Sequence, residues 1–430
     1  MKTALHIAYV CADRGVPIGG RKGASAHVWE LTRALVERGA DVRVIAARTD
    51  EHMNPHTAPA PVIDIGDDRA TRQMRQLAFT DARSERQRTQ AAEIFGLLLN
   101  QAMTRELERL HRRWRIDAVY ERYSLWSHAG AGFARAARVP YLLEVNAPLR
   151  EEQRRYRSLE NAAAAASLEA VLFRSADHVI VPSSALRPYV VSRGARAAGV
   201  RVMPNAADPA LFHDHQGRNR RTAGSGEFVV GFLGTLKPWH GVEDLVRAFR
   251  HLHRRFPGYR LLIAGDGPLR PALETMLRRF GVHGAARFTG EVDHREVPAL
   301  LAQMHVAVAP YPRLPAFYFS PLKVFEYMAA GVPVVASDIG QLSEILVHRT
   351  TALLHRPGVV TELVARIETL RRRPELAANL ARAARRVLRR RFTWHHNADR
   401  ILALIKRRPG RAGGRNAVRT VAMGAVHASR

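Results

Sequence analysis

Apolar and polar positions along the chain alternate between short apolar runs and longer segments with helical spacing. Residues 4–11 are a strand candidate, followed by a turn carrying Gly15, Gly19, Gly20 and Gly23, a helical pattern from Ala24 to Arg38, Gly39 as its stop, and a second strand over 42–47. Residues 51–70 read as a polar loop, and 71–115 as basic helical segments. Strand candidates at 117–122 and 139–146 flank a helix, a long helical stretch runs from about 150 to 175, and strands at 176–184 and 200–205 close this half. Residues 213–227 have turn formers and no apolar pattern, and so read as a linker. The alternation then restarts with strands at 227–234, 259–265, 285–290 and 306–311, with helices opening near 241 and 269 and one over 297–304. A last helix is expected over 397–407, and the Gly- and Arg-rich tail beyond Pro409 is expected to be disordered. The pattern predicts an α/β protein of two doubly wound parallel-sheet domains. Ligands of such sheets bind beyond the strand carboxyl ends, here the loops after Cys11, Gly234, Gly265, Gly290 and Tyr311.

The most informative stretch is residues 317–338. Ser320 suits an N-cap, Pro321 the first helical position and Gly331 a left-handed stop, so a helix is expected over about 321–330. Pro333 bars its continuation, and the apolar run from Val332 to Ala336 reads as a buried strand. Lys323 and Glu326 lie three apart on one helix face. They are either a surface ion pair contributing a few tenths of a kcal/mol or, with the free N–H groups of the first turn, the grip on an anionic ligand.

With 430 residues, two hydrophobic cores are expected. The hydrophobic fraction of 47% and charged fraction of 25% are those of a folded protein. A single cysteine, Cys11, excludes an intramolecular disulfide and multi-cysteine metal sites, and its apolar neighbours mark a core thiol. The first apolar run is interrupted by Asp13 and Arg14, too early for a secretory signal, and no stretch is long enough to span a bilayer, so a cytoplasmic protein is expected. The net charge of +28 is densest at 371–373, 382–391 and 406–408. Such a field attracts nucleic acid, anionic lipid or polyanionic substrates. With arginines spread through both halves and aromatics at 7%, solvated helix faces are favoured over nucleic-acid binding.

Zinc-protease, α/β-hydrolase and P-loop signatures are absent, and neither His395–His396 nor the pair at 251 and 253 has ligand spacing, so no metal is expected. The loop 231–241 ends a buried strand at Gly234 and presents Thr235, Lys237 and His240, cationic or potentially cationic groups suited to diphosphate oxygens or, equally, to an ordinary polar loop. The turn at 264–270 carries a lone G-x-G, which says little.

The ordered blocks Gly19–Gly20 with HVWELTRALVERGADVRV, MPNAADPALF, FLGTLKPWHGVEDLVRAF, LLIAGDGPLRPALE, ARFTGEVDHREVPALLAQMHVAVAPY and SPLKVFEYMAAGVPVVASD resemble the retaining glycosyltransferases of family 4 over about residues 1–400. The resemblance implies the GT-B fold, two Rossmann-like domains facing a cleft. It implies an acceptor-side domain over 1–212, a linker over 213–227, a donor domain over 228–390, a helix packing back over 391–408 and a basic tail over 409–430. The implied activity is transfer of a sugar from a nucleotide diphosphate sugar to a glycan, lipid-linked or small-molecule acceptor. Anomeric configuration would be retained and neither metal nor other cofactor would be needed. Glu326 matches the second glutamate of the E-x7-E motif, which holds the ribose; the backbone around Ser320, Pro321 and Leu322 meets phosphate or sugar; Gly19 and Gly20 close on the diphosphate, Gly234 and Thr235 belong to the donor loop, and Val292 touches the base.

Three departures stand out. Tyr318 replaces the first glutamate, Thr235 and His240 replace the phosphate-binding arginine and lysine, and Asn146 replaces a histidine. Lys237 and Lys323 are the candidates to supply the missing positive charge, and with His240 and the helix N-terminus they would stabilise the departing diphosphate. Competing readings are a basic polyanion- or nucleic-acid-binding protein on this scaffold and a nucleotide-sugar epimerase. The motif set favours transfer, with no nucleic acid as partner. The basic helices also offer an anionic membrane surface about 1 kcal/mol per well-placed Lys or Arg, a peripheral association at the inner face.

Overall fold

The computed structural model describes residues 4–212 and 226–407. The linker centre and the tail beyond Pro409 lie outside them. A first sheet is built from β1 (His6–Cys11), β2 (Asp41–Ala46), β3 (Val62–Asp64), β4 (Ala118–Arg122), β5 (Tyr141–Glu144), β6 (His178–Val181) and β7 (Val200–Val202). Its order is β3-β2-β1-β4-β5-β6-β7. A second comprises β8 (Phe228–Leu233), β9 (Tyr259–Ala264), β10 (Ala286–Phe288), β11 (Val306–Ala309), β12 (Val334–Ser337) and β13 (Leu353–His355), ordered β10-β9-β8-β11-β12-β13. Every pairing is parallel; in the first sheet Cys11 stands between Ala46 and Arg122. Both orders place the chain's return to the first strand at the middle of the sheet, which opens a crevice at the carboxyl edge there.

Each sheet is sandwiched. Ala8, Val10 and Val119 face the helix Glu85–Trp114 on one side, while Ile7, Tyr9 and Tyr120 face the helix Gly23–Glu37 on the other. The last helix, Trp394–Lys406, joins the first domain's core through Trp394, Ala398 and Ile401. It begins three residues before the expected start because Thr393 caps it, accepting from the His396 N–H. Cys11 is buried and its thiol is pushed up to about 12 by that burial, the behaviour of a core residue.

Two strands escaped the sequence pattern. The loop 51–70 contains β3, an edge strand, and β13 follows the helix Gln341–Ile345. Each has three residues, too few to display a period. The basic stretch 71–115 is two helices, Arg69–Phe79 capped by Asp68 and Glu85–Trp114 opened by a Ser84–Gln87 capping box. Among the described residues no helix is long and apolar enough to cross a membrane.

Candidate active site

Loops from the carboxyl edges of both sheets line a cleft of about 380 Å³. The second domain contributes the turn after β8 with Gly234, Thr235 and His240, Asp266 after β9, Val292 and His294, and the opening of the helix Leu322–Ala330. The first contributes Arg122 at the end of β4, Asn146 after β5 and Asn205 after β7, together with His27.

The helix Leu322–Ala330 is the centre of the site, and the sequence places it firmly. Gly331, at φ 66°, closes it by donating to the carbonyls of Tyr327 and Met328. The fully buried Tyr327 hydroxyl accepts from Leu233 N–H at 2.9 Å and so ties the helix to β8; an unpaired phenol there would cost about 1–3 kcal/mol. Ser320 is not the N-cap. Its Oγ accepts from the Asn205 N–H at 2.8 Å and its carbonyl accepts from Asn205 Nδ2 at 2.6 Å, while the helix begins after Pro321 with no side-chain cap. Because the hydroxyl serves the interdomain contact, the N–H groups of the first turn face the cleft unclaimed by a side chain, and they carry the positive end of the helix dipole.

Lys323 stands on that first turn. It is 7% exposed, and among the described residues its ammonium has no hydrogen-bond or carboxylate partner. Nζ lies 4.1 Å from the Phe232 ring centroid and 5.6 Å from that of Tyr311. Burial pulls its pKa down to about 7, against the smaller pull of Glu326. A Cβ at Gly234 would fall 2.8 Å from this Nζ, so the glycine, at φ 129°, makes room for the ammonium. A buried cation without a partner is a costly arrangement, and it is relieved by an anion entering the cleft.

Around this pair the other groups are committed. Glu326 Oε1 accepts from His294 Nε2 at 2.8 Å. His294 Nδ1 also lies 3.8 Å from Glu30 Oε1 of the first domain; burial depresses this imidazole, but the two carboxylates hold its pKa above the ordinary value. His240 was expected to be at least potentially cationic and is instead neutral. Burial, then the neighbouring Lys323, drives it down to about 3, and its Nδ1 bonds the Thr235 carbonyl. Beneath the cleft, Glu144 bonds His27 Nε2 at 2.7 Å and lies 3.5 Å from Arg122, while His27 Nδ1 meets Asn205 Oδ1 at 2.8 Å. Burial would raise Glu144, but His27 and Arg122 outweigh it and bring the carboxyl to about 2. Among the described residues no three His, Cys, Asp or Glu side chains converge to hold a metal ion.

The cleft thus gathers Asn146, Gly234, Thr235, His240, Val292, Ser320, Pro321, Leu322, Lys323 and Glu326. The Asn146 Nδ2 is buried there without a partner. Other residues picked from sequence lie elsewhere. Gly19 and Gly20 line an adjoining cavity of about 750 Å³, where a Cβ on Gly19 would strike Met53 at 2.5 Å, so steric need accounts for that glycine. Lys237 is not on the cleft wall; its ammonium sits 5.8 Å from the Trp239 ring centroid. Tyr318 turns away into the first domain, where its hydroxyl donates to Glu152 at 2.5 Å and its carbonyl accepts from Ser183 Oγ.

Residues 22–206 match the glycosyl transferase 4-like domain and residues 227–373 the glycosyl transferases group 1 domain. Glycogen synthase of Mycobacterium tuberculosis is 30% identical over 383 residues, spanning 86% of this chain and 88% of that protein. The chain belongs to the family 4 glycosyltransferases. The 2-deoxystreptamine glucosyltransferase of Streptomyces kanamyceticus is 28% identical over 339 residues, covering 74% of this chain and 85% of its own. Among solved structures, sucrose-phosphate synthase from Thermosynechococcus elongatus (TM-score 0.69, 20% identity, 94% of this chain and 98% of that one) and HepE from Anabaena in complex with UDP (TM-score 0.70, 19% identity, 94% and 99%) share the GT-B fold.

The residues of this glycosyltransferase that sequence reasoning missed are His27, Arg122, Glu144, Asn205 and His294. His27, Glu144 and Asn205 join elements more than 70 positions apart, and Arg122 meets Glu144 across neighbouring strands, which no local period reveals. His294 carried a weak local signal, a Asp293–Glu296 capping box that fixes the turn on which it stands.

Proposed function

We propose that the cleft binds a nucleoside diphosphate sugar and that the enzyme transfers the sugar to a hydroxyl acceptor with retention of configuration, without a metal or other cofactor. The observation that carries this reading is the uncapped N-terminus of the helix Leu322–Ala330 beside the buried, unpartnered Lys323 ammonium. Together they offer the diphosphate an N–H cradle and a cation within one helical turn. Glu326, one turn further on, has its second oxygen available for ribose hydroxyls, and the backbone at Val292 suits the base.

In the reaction the bond from the anomeric carbon to the diphosphate oxygen breaks, with its electron pair passing to that oxygen. The acceptor oxygen bonds the same face of the anomeric carbon and its proton passes to the departing phosphate. Lys323 and the helix N-terminus stabilise the charge that grows on the leaving group, in the place a divalent cation would otherwise take. Asn146, with a free amide N–H on the opposite wall, is positioned for a hydroxyl of sugar or acceptor. The acceptor is a glycan, a lipid-linked sugar or a small molecule, and the enzyme is read as cytoplasmic, with its basic helix faces open to anionic lipid.

The test is a thermal-shift and calorimetric screen of nucleoside diphosphates and their sugars on the parent protein and on Glu326→Ala. UDP-glucose is the first probe, since the Anabaena neighbour was solved with UDP. Saturable stabilisation by one nucleotide class, lost in the variant, supports the reading through binding linkage. Absence of binding by every nucleotide sugar refutes it. Product anomeric configuration by NMR and turnover in chelator test retention and metal independence.

A further inference from the structure

The carboxyl edge of the first sheet carries more than the donor cleft. Three cavities follow one another along it in strand order. The cleft touches the ends of β5 and β4 at Asn146 and Arg122. A cavity of about 450 Å³ touches the ends of β4 and β1 at Ser124 and Ala12 and is walled by Trp126. A third, of about 440 Å³, lies at the ends of β1, β2 and β3 and shares Arg14 and Phe95 with the second.

Arg14, Arg48 and Arg75 line this third cavity from three elements: the loop after β1, the loop after β2 and the helix Arg69–Phe79. Among the described residues none of the three has an ion pair or a hydrogen-bond acceptor; Arg14 has only the Phe95 ring, 5.1 Å from its guanidinium carbon. Carboxylates are at hand but already spent. Asp64 accepts from the N–H and hydroxyl of Thr49 and from the Gly66 N–H, each at 2.7 Å, and Asp67 accepts from Arg72 at 3.0 Å. Burial and then the fields of Arg75 and Arg48 lower the Arg14 pKa, as expected where like charges converge without a counterion.

We propose that Arg14, Arg48 and Arg75 form a phosphate-binding subsite for the acceptor, so that the enzyme glycosylates an elongated molecule carrying a phosphate ester or diphosphate. Three guanidinium groups with no carboxylate to spare match a multiply charged oxyanion better than a single carboxylate. Strands are about 4.8 Å apart, so the phosphate lies two to three strand spacings, roughly 10–15 Å, from the end of β4 where the donor cleft begins. The middle cavity with Trp126 then holds the body of the acceptor, with its reacting hydroxyl entering the cleft near Arg122 and Asn146. This assignment of acceptor class rests on the transferase reading above.

The test uses the full chain with inorganic phosphate as probe, on a Lys323→Met background so that the donor pocket contributes less. Arginine labelling by phenylglyoxal is read residue by residue by mass spectrometry. Phosphate should protect Arg14, Arg48 and Arg75 in preference to Arg386, Arg389 and Arg390, which are exposed as Arg48 and Arg75 are. The triple variant Arg14→Gln, Arg48→Gln, Arg75→Gln should lose at least about tenfold in phosphate affinity, while Arg386→Gln, Arg389→Gln, Arg390→Gln, which removes the same charge, should not. Sedimentation with phosphatidylglycerol against phosphatidylcholine vesicles separates two sources of the phosphate. Loss of vesicle binding in the first triple variant alone identifies a lipid headgroup, and equal vesicle binding with intact phosphate protection identifies a soluble phosphorylated acceptor. Equal labelling protection at all six arginines, with phosphate affinity and vesicle binding alike in the two triple variants, overturns the subsite. UDP-glucose binding by the parent protein is measured separately; its absence with the arginine protection intact would sink the donor reading and leave the anion site standing.

Discussion

Replacing Lys323 by methionine removes the ammonium and keeps most of the bulk, which isolates the charge at the centre of the proposed donor site. With its pKa near 7, about half of the Lys323 side chains are charged in the free protein at pH 7. A bound diphosphate favours the charged form and returns the pKa toward its ordinary value. Binding should therefore take up about half a proton at pH 7 and about nine-tenths at pH 8, and affinity should fall by about tenfold, or 1.4 kcal/mol, for each pH unit above 7. UDP-glucose suits the assay because its diphosphate diester does not titrate between about pH 6 and 9. Calorimetry in buffers of different ionisation enthalpy counts the protons. Lys323→Met should bind about ten- to a hundredfold more weakly at pH 6, where the parent is charged, with that part of the uptake gone. His294 also titrates nearby but is present in both proteins, so the difference belongs to Lys323. Proton uptake equal in parent and variant would refute the reasoning. The stability sign is opposite. The folded pKa lies below the unfolded value of 10.5, so the unfolded chain holds more protons between about pH 7 and 10.5 and the parent gains stability as pH rises through that window. The penalty at pH 7 is at most about 4 kcal/mol, and Lys323→Met should melt higher there than the parent.

Three further outcomes are expected. His240→Asn should leave UDP-glucose affinity within about threefold at pH 7, because a neutral imidazole contributes no ionic attraction; titration binding curves with a loss as large as that of Lys323→Met would show the ring to be charged. Tyr318→Phe removes the bond to Glu152 and should lower the melting temperature by about 1–4 °C without changing donor affinity, since the hydroxyl faces the first domain; differential scanning calorimetry and binding read the two effects apart. Asn205→Ala strips the Nδ2 contact to the Ser320 carbonyl and leaves His27 Nδ1 unpaired while keeping the backbone N–H contact to the Ser320 hydroxyl, so a destabilisation of about 1–3 kcal/mol is expected, with donor affinity falling because the helix entry loses part of its interdomain anchor; unchanged melting would show that the domains are held by other contacts.

The legible part of this molecule is what chemistry writes locally. The helix Leu322–Ala330 has Pro321 before it and a left-handed glycine after it, and both features need only neighbouring residues. Glycines 234 and 265 end apolar strands and mark the crevice; a Cβ on Gly265 would sit 2.2 Å from the Gly234 carbonyl, so both turns are compressed into the same corner of the cleft. What could not be read is what two distant segments decide together. Ser320 has the residue type and spacing of an N-cap, yet the Asn205 backbone, 115 positions earlier, claims its hydroxyl. Tyr318 occupies the position of a donor-binding carboxylate and yet finds a partner in Glu152, 166 positions earlier. Helix grammar states which groups are available, and the domain interface chooses among them.

That choice makes the departures from the family pattern mutually consistent in charge. The resemblance expects an arginine and a lysine at 235 and 240 and glutamates at 318 and 326, a set with no net charge. In this chain Thr235 is neutral, His240 is held neutral by burial and by Lys323, and Tyr318 carries no charge in the cleft. What remains is Lys323 with Glu326, again a set with no net charge once Lys323 is protonated, but one in which the cation has moved from the strand-end loop onto the helix itself. The move fits a neutral His240: a second cation beside an ammonium already depressed to about 7 would drive Lys323 further down and shift the positive charge from the helix back to the loop. It also fits the uncapped helix start, because in the proposed donor site a serine hydroxyl bonded to the first-turn N–H groups would compete with the phosphate for the donors that would share the load with a single lysine.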